Sequence, residues 1–315
     1  PAKFISNGLD IFILNFGTQI DYLKQVAFFF IMLPVKIGLQ LSVSPYTWGF
    51  ELTPFLITAY FIIMMLFASW CFLKFSKDVA IGIILFSIFI YFGLTNMPWL
   101  PLILIYGLIG FKIGGLKLSL TIVVSFLFIT FTGVLPQALL SIYLCGIAVI
   151  ISFILGSSLG IWAAHNDKVS AFMRPINDTM QTMPSFVILI PFVMFFGIGE
   201  FTALLAIIAY AFVPAMRYTE HGLRNLPETV IEAARMIGCS QTQLLWKVKI
   251  PLAMPVIMLG LNQTIMFGLA MLVIAALVGT TGLGQLIYIG LSKADFGTGM
   301  ISGVSIALIA IIFDR

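Results

Sequence analysis

The chain has 315 residues, of which 61% are hydrophobic and only 9% charged. Soluble domains carry roughly 45–50% apolar and about 25% charged residues, so the composition excludes a water-soluble enzyme, and its hydrophobicity excludes a disordered chain. The excess of 16 basic over 12 acidic residues, a net +4, falls in short clusters between apolar runs. That is the distribution of membrane topology and not of nucleic-acid binding.

The chain reads as an all-α polytopic membrane protein, because the apolar runs lack the alternating ten-residue period of a transmembrane barrel. Residues 1–50 form an amino-terminal segment, interfacial or partly inserted. Phe28–Met32 is strongly apolar, yet Pro34, Lys36 and the polar positions 18–25 interrupt a simple span, and Pro45-Tyr-Thr-Trp48 resembles a turn at headgroup depth. Accessory and N-terminal transmembrane helices are expected over 51–133, from the apolar runs 52–73, 79–95, 98–112 and 115–133. A third region, 134–315, holds the runs 136–164, 180–197, 200–220, 254–278 and 299–313. A crossing needs roughly 20 residues, so 79–95, 98–112 and 299–313 are short and read as tilted, paired or re-entrant segments.

If every run crosses, one side receives Lys74, Lys77, Lys112, Lys117, Lys168, Arg174, Arg217, Arg224, Arg235, Lys247, Lys249 and Arg315. Outside the amino-terminal stretch, the other side receives only Lys293. The bias places the 221–251 loop in the cytoplasm and 279–298 outside. Cys71, Cys145 and Cys239 cannot pair completely and read as small hydrophobes. The sequence opens on Pro1 and stops at Asp314-Arg315 directly after an apolar run, as expected of the ordered part of a longer protein.

The most polar well-organised stretch is 214–255. After Pro227, the positions Val230, Ala233, Ala234 and Ile237 recur at helical spacing. Gly238 is placed to end that helix in a left-handed conformation. Ser240 with Gln243 three residues on forms a capping-box pattern. A second short helix is expected over about 241–249, presenting Leu244, Leu245 and Val248 and stopped by Pro251. Such a helix–Gly–helix unit suits docking, with Ala233-Ala234 permitting close approach and Glu228, Glu232 and Arg235 at its rim. An amphipathic connector lying on the membrane is the other reading.

Glu232-Ala233-Ala234, three residues, Gly238, nine residues, then Val248-Lys249-Ile250-Pro251 resembles the signature loop of ABC importer permease subunits, E-A-A-x3-G-x9-I-x-L-P. It departs only by Val248 for Ile and Ile250 for Leu. Arg174-Pro-Ile-Asn-Asp178-Thr-Met-Gln181-Thr-Met-Pro184, Gly197-Ile-Gly199, Pro251-Leu-Ala-Met-Pro255, Asn262-Gln263-Thr264 and Gly282-Leu-Gly284-Gln285 narrow the likeness to the glycine betaine/proline betaine permease subfamily. The resemblance is dense over 136–315 and loose over 1–135. Asn177 stands where an apolar residue is expected.

The resemblance implies a type I ABC importer permease fold in a bacterial inner membrane, with residues 134–315 as the core transmembrane domain. It implies a loop at 221–251 that docks on a separate ATPase through Glu228, Glu232, Ala233, Ala234, Arg235, Gly238, Val248, Ile250 and Pro251. The implied assembly has a second copy of the permease, two ATPase subunits, which bind ATP and Mg, and an extracytoplasmic substrate-binding protein. This chain then needs no catalytic residue, metal or cofactor of its own, and its sequence holds no Gly-rich phosphate loop or metal-ligand cluster. His165 and His221 lie at run ends and read as interfacial.

Polar residues within spans tend to face a cavity or another helix. Ser157, Thr182, Asn262, Gln263 and Thr264, with Phe186 as an aromatic face for a methylated ammonium, are candidates for a translocation path, and helix–helix contact is the alternative for each. Arg217, Glu220 and Arg224 are candidates for steadying the docking loop. Glu200 reads as a turn residue. Gly279, Gly282, Gly284 and Gln285 are a candidate gate or binding-protein surface. The expected substrate is glycine betaine or a related compatible solute, with choline, carnitine and trimethylamine N-oxide inseparable from it. An ion-driven secondary transporter would leave the 227–251 unit without a role and would call for inverted repeats; no convincing repeat is found. A membrane-embedded enzyme would call for converging Asp, Glu, His or Cys, which occur only singly.

Overall fold

The computed structural model describes residues 16–41, 58–66, 69, 84 and 99–314. The expected runs 52–73 and 79–95, apart from those positions, lie outside the described residues, as do the turn at Pro45–Trp48 and Cys71. The chain forms two compact units, Pro34–Leu139 and Pro1–Leu33 with Leu140–Asp314.

In the first unit, helix α1 (Trp99–Phe131) is a folded-back pair of arms. Gly114 and Gly115 leave helical geometry, Gly115 at φ +69°. Ser119 Oγ then donates to Gly107 O across 2.9 Å, and the rings of Tyr106 and Phe126 stack 5.3 Å apart. Along a straight helix those rings would lie roughly 30 Å apart. The expected short runs 98–112 and 115–133 are therefore the arms of one hairpin. Each arm is roughly 22–25 Å long, less than the hydrocarbon thickness of about 30 Å.

The second unit carries the long helices α2 (Leu135–His165), α5 (Glu200–Arg224), α7 (Gln241–Val278) and α9 (Phe296–Asp314), each apolar and long enough to cross a membrane. Their contacts are made at glycines. A Cβ on Gly156 would lie 2.8 Å from Phe212 O, and one on Gly160 2.7 Å from Met216 O, so α2 and α5 meet backbone to backbone. On the other side of α5, Gly260 of α7 faces Tyr218 and Pro214 O, and Gly268 faces Ile207 and, on α2, Cys145 and Val149. Leu223, Ala253 and Ile257 close the cluster against Phe153, Ile161 and Leu226. Small residues allow this approach where hydrophobic driving force between helices is absent.

The expected single span over 180–197 is broken. Helices α3 (Asp167–Thr182) and α4 (Ser185–Phe196) meet at 104°. Met183 is forced into an extended conformation before Pro184, which ends α3. Asn166 caps the start of α3 through Lys168 N and Val169 N.

Two prolines expected to interrupt helices do not. A π turn at Phe28–Met32 precedes Pro34, and another at Leu244–Lys249 precedes Pro251. The wider turn moves the carbonyl four residues back out of the ring's way and removes the need for the missing N–H. Thus 241–249 is no separate helix stopped by Pro251; it is the first part of α7.

Gly160→Val would force a branched side chain onto a backbone carbonyl, a cost of about 1–3 kcal/mol. We expect a lower thermal midpoint of the solubilised protein. Gly303→Ala on α9, where an added Cβ meets nothing within 4 Å, should leave the midpoint unchanged or raise it.

Candidate functional site

Polar residues of the second unit gather in three places. The first is α6 (Glu228–Met236) and the turn after it. Gly238 N donates to Arg235 O (2.9 Å) and Cys239 N to Ala234 O (3.3 Å), with Gly238 at φ +89°. This is a Schellman closure, and a left-handed residue there favours glycine. Ser240 N donates to Gln243 Oε1 (3.0 Å) and Gln243 N to Ser240 Oγ (3.3 Å), completing the expected capping box. Glu228, Glu232, Ala233 and Arg235 are exposed, while Val248 and Ile250 are half-buried and Pro251 is exposed.

The apolar positions of α6 are mostly exposed. Of Val230, Ala233, Ala234 and Ile237, only Ala234 is buried, so the Ala pair does not present both methyls to a partner. Met236 and Ile237 instead stand 91% and 84% exposed, with Trp246 at 62%. Ile237 belongs to the helical spacing expected of the docking unit, whereas Met236 and Trp246 lie off that spacing and carried no signal in sequence.

The second place is the seam between α3 and the carboxyl-terminal half of α5. Arg217 pairs with Asp178 and donates to Gln181 Oε1 at 2.7 Å. Arg224 pairs with Asp167 (2.8 Å) and Glu220 (3.0 Å) and donates to Ala163 O (2.7 Å). Ser170 Oγ donates to the same Glu220 oxygen at 2.5 Å. Arg217, Glu220 and Arg224 therefore tie the end of α5 that precedes the 227–251 unit to α3 and α2. An open cleft of about 690 Å³ runs along this seam and includes His221, which contacts Asn225. His165 caps its own helix through Ile161 O.

The third place is at the other end of α5. Glu200 is its first helical residue and not a turn residue. Its carboxylate accepts from Tyr143 OH (3.1 Å) on α2 and from Thr281 Oγ1 (3.2 Å), and a helix N-terminus favours that negative charge. Leu283 N donates to Ser141 Oγ at 2.8 Å. These hydroxyls carried no signal in sequence, since isolated Ser, Thr and Tyr recur throughout the chain. Gly279 (φ +79°) and Gly282 (φ +137°) form the turn before α8 (Leu283–Ser292), and half-buried Gln285 lies on α8. Gly284 lies against Leu272 O, and Gly290 against the backbone of Gly299. The stretch expected as a loop is thus mainly a packed helix.

The path candidates are dispersed over four helices. Ser157 on α2 has a buried hydroxyl oxygen without a partner among the described residues. Thr182 is exposed and bonds back to Asp178 O at 2.9 Å. Phe186 is exposed on α4. On α7, Asn262 donates to Asp314 O (3.4 Å), Gln263 is exposed, and buried Thr264 bonds Gly260 O (2.7 Å). Among the described residues no group of three or more His, Cys, Asp or Glu could hold a metal ion.

The fold is similar to a solved inward-facing structure of the MetNI methionine ABC transporter, at a TM-score of 0.54 and 19% identity, covering 59% of this chain and 92% of that one. The chain is thus a polytopic all-α membrane protein with the architecture of an ABC importer permease. Residues 156–314 match the family described as binding-protein-dependent transport system inner membrane component, and the chain belongs to that family. It is 40% identical over 222 residues to the glycine betaine/proline betaine transport system permease protein ProW of Escherichia coli (strain K12), covering 70% of this chain and 63% of that protein. It is 36% identical over 252 residues to the glycine betaine transport system permease protein OpuAB of Bacillus subtilis (strain 168), covering 79% and 89%. It is 44% identical over 215 residues to the trimethylamine N-oxide transport system permease protein TmoV of Pelagibacter ubique (strain HTCC1062), covering 68% and 30%.

Two predictions follow from these contacts. The Asp178–Arg217 side chains are 65% and 39% exposed, so a double-mutant cycle with Asp178→Asn and Arg217→Gln should give a coupling of about 0.2–1 kcal/mol, reduced at 1 M salt. In the first turn of α9, Thr298 donates its hydroxyl (2.6 Å) and amide (3.2 Å) to Asp295, just before the helix, and holds that carboxyl below its ordinary value. A depressed folded value stabilises above the unfolded carboxylate value near ~3.9, and the effect vanishes as pH falls through the folded value. Amide exchange at Thr298, corrected for intrinsic rate, should speed up below that value in the native chain and show no such step in Asp295→Asn.

Proposed function

We propose that this chain is the transmembrane subunit of an ATP-driven importer for glycine betaine or a related methylated-amine compatible solute in a bacterial inner membrane. Two copies form one translocation path, two ATPase subunits dock on them, and an extracytoplasmic binding protein delivers the solute. The observation that carries the coupling role is the unit 228–251: an amphipathic helix closed by a left-handed glycine, followed by a capped helix start, with Met236, Ile237 and Trp246 exposed beside charged rim residues. Exposed apolar side chains grouped on a polar element mark an interaction surface. The names of the ProW, OpuAB and TmoV relatives support methylated amines as the solute class, and the TmoV match supports trimethylamine N-oxide as a second reading.

In this assembly ATP hydrolysis belongs to the partner subunit. Nucleotide can shift inward- and outward-facing populations only through interactions that differ between them, and the 228–251 surface is where those differences enter this chain. The outer cluster of Glu200, Tyr143 and Thr281, with the adjoining Gly279–Gln285 stretch, is assigned to the gate or binding-protein side.

Gly238→Pro would impose a φ near −65° on a residue at +89°, whereas asparagine tolerates the left-handed region. In the lipid-reconstituted complex, binding protein with glycine betaine should stimulate ATP hydrolysis. The proline variant should lose that stimulation at least tenfold while the ATPase still copurifies, and Gly238→Asn should retain most of it. Absence of a copurifying ATPase, or uptake that persists without ATP, would sink this function. A response to trimethylamine N-oxide alone would replace the solute.

A further inference from the structure

The cleft between α3 and α5 is lined by one guanidinium more than it has carboxylates. Arg174 of α3 and Arg217 and Arg224 of α5 face an open space of about 690 Å³, against Asp178 and Glu220. Arg217 is engaged by Asp178 and Gln181, and Arg224 by Glu220, Asp167 and Ala163 O. Asp167 meets Arg224 from outside the cleft, is 92% exposed and stands next to Lys168. Arg174 is exposed in the cleft with no hydrogen-bond or ion-pair partner among the described residues.

The depth of the cleft follows from α5. At about 1.5 Å per residue, Arg217 and Arg224 lie roughly 26 and 36 Å along the helix from Glu200. They bracket the edge of a hydrocarbon layer about 30 Å thick, so the cleft opens at the level of the phosphate groups. Helix α3 is divided to match. Its exposed Phe172 and Ile176 lie one turn apart on the face turned away from Ser170, Asn177 and Gln181. A helix so divided rests its apolar side among acyl chains and its polar side among headgroups. The distribution of Lys and Arg assigns this end to the cytoplasm, where the leaflet carries anionic lipid and basic pockets between spans take headgroups.

We propose that the cleft binds the phosphate of an anionic phospholipid of the cytoplasmic leaflet, with Arg174 as its anchoring cation. The proposal goes beyond the transport function and needs only that the chain spans a membrane. A guanidinium presents two parallel N–H donors to two phosphate oxygens. Arg217 spends one N–H on Gln181 and one on Asp178, so it retains donors for the same phosphate. Both carboxylates of the cleft are engaged by Arg217 and Arg224, which leaves none for the ammonium of a zwitterionic headgroup. Soluble phosphate offers the same oxygens but has no acyl chains to hold it at this depth beside α3.

The test is native mass spectrometry of the full chain, purified in mild detergent, stripped of lipid and offered equal amounts of phosphatidylglycerol and phosphatidylethanolamine. The native chain should retain phosphatidylglycerol preferentially. Arg174→Gln should weaken that binding about fivefold, the loss expected for one basic residue facing anionic lipid, and Arg174→Lys should keep most of it. Lys293→Gln removes the same charge from the exposed turn before α9 and should bind as the native chain does. Arg174 has no partner to lose, so its variants should keep the native thermal midpoint, which separates lost binding from lost fold. Equal phosphatidylglycerol on Arg174→Gln and the native chain, an equal loss in Lys293→Gln, or equal retention of both lipids would each overturn the site. Displacement of the bound lipid by millimolar inorganic phosphate at constant ionic strength would assign the cleft to a soluble anion and overturn the proposal. Absence of ATP-driven uptake would remove the transport function and leave this site standing.

Discussion

The backbone of α5 lies against the backbones of its neighbours, and that contact fixes where every polar cluster sits. Gly156 and Gly160 on one side and Gly260 on the other leave no room for a Cβ without displacing α5 carbonyls or side chains, and Gly268 is tight against Val149 and Cys145 of α2. Apolar helices in lipid gain little from burial against one another, so shape at these glycines does the selecting. At 25 residues, α5 is roughly 37 Å long, slightly more than the hydrocarbon it crosses. Its two ends therefore emerge at opposite interfaces, Glu200 at one and Arg217 through Arg224 at the other. Each end then recruits polar partners from helices already drawn close: Tyr143 from α2 at the first, and α3 at the second.

What the sequence disclosed was what is local. The shortage of charge identified the membrane environment, and Gly238, Ser240 and Gln243 announced their turn because a Schellman closure and a capping box are complete within six residues. Hydropathy found α2, α5, α7 and α9, but it could not find the Met183–Pro184 corner, since the apolar run continues across it. Nor could it find the fold-back at Gly114-Gly115 as a contact between Ser119 and Gly107. The ion pairs of α3 with α5 join residues 39 and 57 positions apart, and nothing in the spacing of Arg217 distinguishes a partner on α3 from one on α6. The exposed Met236 was hidden for a different reason: it lies off the helical spacing of Val230, Ala233, Ala234 and Ile237, and only tertiary packing says which side chains are covered.

The treatment of proline sets the mechanical character of the docking unit. Were Pro251 a stop, the segment 241–249 would be a free short helix hinged to the span behind it, and motion at the surface would dissipate in the hinge. The π turn at Leu244–Lys249 instead carries the helix through the proline, so α7 runs unbroken from the Ser240 cap to Val278. Its 38 residues make a rod of roughly 57 Å. Displacing its exposed end must tilt or translate the part that holds Gly260 and Gly268 against α5.

Helix α6 sits between the two elements that such a motion would separate. Asn225–Pro227 join it to α5 and Ile237–Ser240 join it to α7, links of three and four residues with a Schellman closure in the second. A force on Met236 and Ile237 therefore reaches both long helices through connections too short to absorb it. The close contact at Gly260 holds α7 against α5, and the ion pairs with α3 resist movement of the α5 end alone. Under the proposed function, the low-energy response to an approaching ATPase is for α3, α5 and α7 to move together as one body.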